Sequence, residues 1–233
     1  MFDLIVSNNC LFNGLLTKVG ENMSALVLNI HYQTPEVNKI QKVVSALRDG
    51  AVILYPTDTQ FTLGCSLSNK EGIERIRAIK GINENHAMTF LCDSLSNISE
   101  FAKVSDEAYK LIKRLIPGPY TFILPASKLV PKFAQNAKRS TAGLRVPDNN
   151  LSQILLKNME SPIIAISAKL PDKQPMNDPD DIIDSFSKLV DIAVSSDKYN
   201  FTGESTVLDM TSENFEIIRE GAGMDKLRDF VKE

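Results

Sequence analysis

Residues 52–65 read Val52-Ile53-Leu54-Tyr55-Pro56-Thr57-Asp58-Thr59-Gln60-Phe61-Thr62-Leu63-Gly64-Cys65. The apolar run from Ala51 to Leu54 predicts a buried strand. It stops at Pro56, which has no N–H to donate to a sheet ladder. Thr57, Asp58 and Thr59 follow, and a second short apolar segment closes at Gly64. Two strands would hold three small oxygen-bearing side chains at their junction, the arrangement by which rigid elements present hydrogen-bonding groups to a small polar ligand. A hairpin turn made of polar turn residues accounts for the same pattern.

Outward from this stretch, helices and strands interleave. Thr34-Pro35-Glu36 predicts a helix start with a hydroxyl cap, and Ile40, Val43, Val44 and Leu47 keep helical spacing until Gly50. Ile73, Ile76 and Ile79 predict a helix over Asn69–Lys80, and Ser105 caps one carrying Ala108, Leu111, Ile112 and Leu115. Asn150–Lys157 reads as helical, Asp178-Pro179-Asp180-Asp181 opens another helix, and Gly223–Val231 closes the chain. Strand patterns fall at 25–30, 88–92, 120–124, 141–146, 163–167, 190–194, 205–209 and 216–219. No Pro/Gly/Ser linker and no internal repeat divides them. The expected fold is therefore one three-layer α/β domain, a twisted mixed sheet of about seven strands with helices on both faces. Residues 1–22 show only a weak apolar pattern before Met23, so they read as an N-terminal extension to a domain over 23–233, with Met23 as the working start.

The 233 residues are 43% hydrophobic and 24% charged, in keeping with a soluble globular protein. No apolar run approaches the ~20 residues of a membrane helix, so no membrane partner is expected. The start lacks the basic and sustained apolar regions of a signal peptide. Cys10, Cys65 and Cys92 are widely spaced without a Cys-x-x-Cys, which favours a reducing, cytoplasmic location. With only His31 and His86 beside them, a zinc site of N and S ligands is not expected, nor any tightly bound metal.

Charge is unevenly placed. Residues 108–147 contain no Asp or Glu but eight basic residues: Lys110, Lys113, Arg114, Lys128, Lys132, Lys138, Arg139 and Arg145. Over 172–233, acidic residues outnumber basic ones 15 to 7. An acid-free window of this length favours a polyanion such as a nucleotide or RNA, although a solvated face of helices and a loop has the same composition.

The familiar phosphate motifs are absent: there is no Gly-x-Gly-x-x-Gly, no P-loop and no Gly-x-Ser-x-Gly nucleophile elbow. What recurs instead is a hydroxyl or cation at a strand end. Pro117-Gly118-Pro119-Tyr120-Thr121 is a stiff turn feeding a strand with Thr121 just inside it. Gly143-Leu144-Arg145-Val146-Pro147 offers an arginine suited to phosphate or carboxylate. Ser167-Ala168-Lys169, Gly203-Glu204-Ser205-Thr206 and Ile218-Arg219-Glu220-Gly221 repeat the theme. Each is also compatible with an ordinary loop, turn or surface ion pair.

As an ordered set, Tyr55-Pro-Thr-Asp-Thr59, Lys80, Pro117-Gly-Pro-Tyr-Thr121, Gly143-Leu-Arg-Val-Pro-Asp148, Ser205-Thr-Val-Leu-Asp209 and Ile218-Arg-Glu-Gly221 resemble the YrdC-like family, whose best-known members are threonylcarbamoyl-adenylate synthases. The likeness runs from about Met23 to Gly223. His86-Ala-Met-Thr-Phe-Leu-Cys92 and Leu170-Pro-Asp172 are similar to the YciO-type branch. The resemblance implies a YrdC/RibB-like fold with a concave basic cavity. It implies threonine binding near Thr57 and Thr89, phosphate or carboxylate contacts from Lys80 and Arg145, and a nucleotide cavity lined by Thr121, Ser167, Ser205, Thr206 and Arg219. Lys80 and Ser167 would be the catalytic pair. The synthases condense threonine, bicarbonate and ATP to threonylcarbamoyl-AMP, which serves modification of adenosine 37 in tRNA; ATP would arrive with Mg2+ as substrate.

Two positions depart from the synthases. Their Lys-x-Arg is Lys80-Gly81-Ile82 here, and their Ser-x-Asn is Ser167-Ala168-Lys169. Loss of a five-donor guanidinium fork from a phosphate site is not a mild change. The sequence therefore supports a protein that binds nucleotide and RNA, tRNA or double-stranded RNA, as a monomer or weak dimer. An active synthase and a hydrolase of acyl-adenylates are the alternatives.

Overall fold

Alternation along the central strands sorts their side chains into two cores. Ile53 and Tyr55 belong to one and Val52 and Leu54 to the other; Ile163 and Ala165 likewise part from Ile164. Strands apolar on both faces need cover on both faces. The computed structural model describes residues 24–231 apart from 85, 87, 137, 172–175 and 177, so the expectations for residues 1–22 and for Met23 lie outside the described residues. Its elements run β1 (Leu26–Ile30), α1 (Val37–Arg48), β2 (Ile53–Pro56), β3 (Phe61–Ser66), α2 (Lys70–Lys80), β4 (Thr89–Leu91), α3 (Leu95–Phe101) and α4 (Asp106–Leu115). They continue with β5 (Tyr120–Pro125), β6 (Thr141–Arg145), α5 (Asn150–Met159), β7 (Ile163–Ser167), α6 (Pro179–Phe186), β8 (Ile192–Ser196), β9 (Thr206–Asp209), β10 (Glu216–Arg219) and α7 (Met224–Val231).

Among the described residues, ten strands join one mixed sheet in the order β1-β8-β2-β3-β7-β4-β6-β5-β9-β10. It is wider than the seven or so strands expected, because β1 pairs with β8 at one margin and β9 and β10 extend the other beyond β5. The deciding stretch forms the antiparallel β2–β3 hairpin, with Pro56 opposite Phe61.

The helices divide unequally. α1 and α5 bury Ile40, Val43, Val44, Leu47, Leu151, Leu155 and Leu156 with Ile53, Tyr55, Ile192 and Val194. α2, α3, α4, α6 and α7 place Ile73, Ile98, Ile112, Phe186 and Leu227 in the other core. On the two-helix face, the strands remote from α1 and α5 carry small or polar residues, among them Ala165, Thr89, Gly143 and Thr121. That half of the face is the floor of a cleft.

Local starts follow capping chemistry, with one correction. Ser105 accepts from the Ala108 N–H at 3.2 Å, and the Asp178 carboxylate accepts from the Asp180 and Asp181 N–H groups at 2.9 and 3.2 Å, as their sequences predict. Thr34 does not cap α1. Its hydroxyl meets His31 Nδ1 at 3.0 Å instead, and the extended residue before the helix is Glu36. The short helix α3, capped by Ser94 at the Asn97 N–H, has no sequence counterpart above, since Ile98 alone of its residues is fully buried and no apolar period develops.

Candidate functional site

The β2–β3 turn decides which hydroxyl faces outward. Thr57 N–H reaches the Gln60 carbonyl at 3.1 Å, closing the turn. The Thr57 hydroxyl donates to the same carbonyl at 2.8 Å and accepts the Thr59 N–H at 3.2 Å, so it is spent within the turn. Thr59, two residues on, faces the cleft and accepts from Arg145 Nη1 at 2.8 Å.

A cavity of about 170 Å3 opens here. Thr59, Gln60 and Thr62 supply one wall, Ala165, Ile166 and Ser167 of β7 the next, then Thr89 and Leu91 of β4, with Arg145, Thr121, Ser205 and Arg219 beyond. Of the residues expected from sequence, Thr89, Thr121, Arg145, Ser167, Ser205 and Arg219 come together around it. Thr57, Lys80 and Thr206 are not on its lining. Thr206 is fully buried, its hydroxyl donating to the Ala222 carbonyl at 2.8 Å and accepting from the Gly221 N–H at 3.1 Å.

Two compartments extend this cavity. One, of about 310 Å3, shares Thr59, Gln60 and Glu204 and adds Phe61, Leu170, Met176, Phe201 and Lys169. The other, of about 220 Å3, shares Thr89, Thr121, Ser205 and Arg219 and adds Asn136, Arg139, Thr141 and Gly143. Gly143 lies opposite Thr89 on β4, and a Cβ there would meet the Thr121 methyl at 3.4 Å and fill the floor between the two hydroxyls. Gln60, Thr62, His86, Ala165, Ile166 and Glu204 receive no ligand role from sequence, while Thr59 is singled out only with Thr57 and Asp58 and Arg139 only within the acid-free window. Within the turn, Thr57 is consumed by the turn's own hydrogen bonds, which leaves Thr59 as the threonine that reaches the cleft.

The cations are held in different ways. Arg145 is buried and ion-paired to Asp58, and its Nε donates to the Gly118 carbonyl at 3.4 Å. This brings the Pro117–Pro119 turn to the cleft. Asp58 keeps a second carboxylate oxygen buried with no hydrogen-bond partner among the described residues. Arg219 donates from Nε and Nη2 to the Ser205 carbonyl at 3.0 and 2.8 Å, and from Nη2 to the Ser205 hydroxyl at 3.0 Å. That hydroxyl also meets Thr121 at 3.0 Å. Arg139 pairs with Asp209 at 2.7 Å, and hydrogen bonds from Thr211 and Arg139 hold the Asp209 carboxyl below its usual range against the opposing effect of burial.

Lys80, at the end of α2, donates to the carbonyls of Ser167, at 2.9 Å, and Lys169. It thus braces the end of β7 from behind the cleft. Burial, and then the nearby Lys169 charge, push its ammonium below the ordinary lysine range. Ile82 is half-buried against the five-helix core, and Lys169 is exposed in the larger compartment.

Chemically, the cavity presents two guanidinium groups beside several hydroxyls. No group of three or more His, Cys, Asp or Glu is placed to hold a metal ion among the described residues. Cys65 and Cys92 are buried free thiols, with Cys65 pushed up to about 12 by burial. No helix among the described residues is long and apolar enough to cross a membrane.

A family model described as "Telomere recombination", covering the Sua5, YciO and YrdC proteins, matches residues 45–221. An uncharacterized protein of Haemophilus influenzae is 40% identical over 198 residues, 83% of this chain and 94% of the relative. The crystal structure of Escherichia coli YciO superposes with a TM-score of 0.80 at 36% identity, covering 85% of this chain and 97% of that one. The P. abyssi Sua5 complexed with L-threonine superposes with a TM-score of 0.81 at 25% identity, covering 89% of this chain and 61% of that one.

Proposed function

The chain belongs to the Sua5/YciO/YrdC family, and from that premise we propose that its cleft binds an adenine nucleotide beside a small amino acid of threonine type. One observation carries this reading: Arg145 and Arg219 flank a row of hydroxyls from Thr59, Thr89, Thr121 and Ser205 within one cavity. A fixed guanidinium suits a carboxylate or phosphate, and the hydroxyls suit ribose and the hydroxyl of threonine. The related P. abyssi Sua5 binds L-threonine, and a P. abyssi threonylcarbamoyl-AMP synthase is 27% identical to this chain over 187 residues. This chain spans 54% of that synthase, so the synthase's whole activity does not carry over with the cleft.

Binding is favoured over ATP-driven synthesis because an isoleucine and a lysine, Ile82 and Lys169, stand at the two departing positions. Lys80 would steady the Ser167 end of the site, and Mg2+ would enter only with ATP, held mainly by phosphates and water. Ligand-dependent unfolding tests the reading. AMP or ATP at 100-fold its dissociation constant should add about 2.7 kcal/mol of stability, with threonine adding to the nucleotide's effect. No stabilisation by any of the three refutes it. Thr121→Val and Ser205→Ala should each weaken the nucleotide response, and pyrophosphate release from threonine, bicarbonate and ATP should be absent or slow.

RNA binding, in the cytoplasm and with tRNA or duplex RNA as ligand, is a second reading. What favours it is that seven of the eight cations in the acid-free window, all but Arg145, lie on the surface. RNA affinity should then fall steeply with salt. A flat salt response would remove this reading and leave the first intact.

A further inference from the structure

Resting on the nucleotide reading, we infer that the cleft selects ligands with a single phosphate, AMP or an acyl-adenylate, over a nucleoside triphosphate. The basis of this selection is electrostatic. Each of the three arginines of the cleft has a carboxylate from its own chain: Arg145 has Asp58, Arg139 has Asp209 at 2.7 Å and Arg219 has Glu204 at 3.5 Å. A paired guanidinium and carboxylate project a dipole field that dies away faster than that of a free charge. The two lysines at the Ser167 end differ. Lys80 is bonded to two backbone carbonyls and Lys169 stands exposed in the larger compartment.

Among the described residues of the cleft and the shell behind it, five cations thus face three carboxylates, an excess of two. A phosphate monoester carries about −1.5 to −2 at neutral pH. An acyl-adenylate whose amino acid is linked through an N-carboxyl group, leaving its own carboxylate free, divides a similar charge between the singly ionised acyl phosphate and that carboxylate. Two further phosphoryl groups would bring charge that these cations do not offset. Glu204, which lines both the central cavity and the larger compartment, adds a negative charge to the space left for them.

The apolar groove of Leu111, Phe215, Ile217 and Phe230 between α4, α7 and the sheet margin has nothing to identify an occupant. The surface cluster of His31, Asp197 and Glu36 is satisfied by its own hydrogen bonds.

Calorimetric titration of the full chain at fixed ionic strength decides the matter, with AMP, ATP, ATP plus Mg2+, and AMP plus threonine as probes. AMP should bind at least as tightly as ATP, with or without Mg2+, and Glu204→Gln should shift the ratio several-fold toward ATP. ATP binding tighter than AMP in the unaltered protein overturns the inference while leaving the nucleotide reading standing. So does an unmoved ratio in Glu204→Gln. If no nucleotide binds, both fall. Threonine that strengthens AMP binding identifies the acyl-adenylate as the form matched; threonine that competes with AMP leaves the free monophosphate as the match.

Discussion

Arg145 and Arg219 face the same cavity but are mounted in opposite ways. The Arg145 and Asp58 side chains are 7% and 5% exposed, whereas those of Arg219 and Glu204 are 44% and 59% exposed. A buried pair loses solvation for both charges, and its stability depends on neither partner being removed. An exposed pair is screened by water and contributes little to stability. Arg145 is thus fixed by a buried counter-charge, whereas Arg219, although bonded to Ser205, has an exposed carboxylate partner that a ligand can displace.

The largest expected effect lies at the buried pair. Asp58→Ala should cost about 3–5 kcal/mol in denaturant unfolding, because Arg145 is left buried without a counter-charge. Combining it with Arg145→Met should recover much of that loss. If Asp58→Ala costs no more than Glu204→Ala, the contrast between the pairs is broken. Next comes ligand binding. Arg145→Lys loses the fork that spans Asp58 and Thr59, and nucleotide affinity should fall about tenfold or more, in line with the roughly 1.5–3 kcal/mol of a hydrogen bond to a charged group. Arg219→Ala should weaken the nucleotide comparably yet change stability by no more than about 1 kcal/mol. Equal stability losses for both arginines would erase the distinction.

The smallest effect is in pH. Because the Lys80 pKa is lowered in the fold, the unfolded chain binds the extra proton between the lowered and ordinary values. Stability attributable to Lys80 therefore rises with pH across that window, while affinity for an anion falls. Lys80→Met should flatten both limbs in a pH series of unfolding and nucleotide titration.

Much of the architecture was legible because the chain is locally consistent. Ser105 and Asp178 announce helices that begin where they stand, and Ile40, Val43, Val44 and Leu47 form the buried stripe of α1. Thr34 and Asp178 show the limit. Both precede Pro and an acid, but His31 lies within reach of Thr34 and takes its hydroxyl, a competition invisible to a local pattern. The site divides similarly. Thr121, Arg145, Ser167 and Ser205 mark strand ends, where a polar residue interrupts an apolar run. Ala165 and Ile166 look like core in sequence and reach the cleft because β7 lies between β3 and β4, a neighbourhood set by the sheet order. Glu204 and Arg139 sit in connecting segments whose paths depend on packing elsewhere.

β10 gives the adjustable arginine a further meaning. This four-residue strand is exposed throughout, pairs only with β9 among the described residues, and carries a register shift between Ile217 and Arg219. Edge segments with exposed backbone hydrogen bonds open at lower free energy than the interior of a sheet. Amide hydrogens of β10 should exchange with solvent sooner than those of β6, which bears Arg145. A ligand that draws Arg219 inward would slow that exchange at the margin, making the outermost strand a reporter of occupancy.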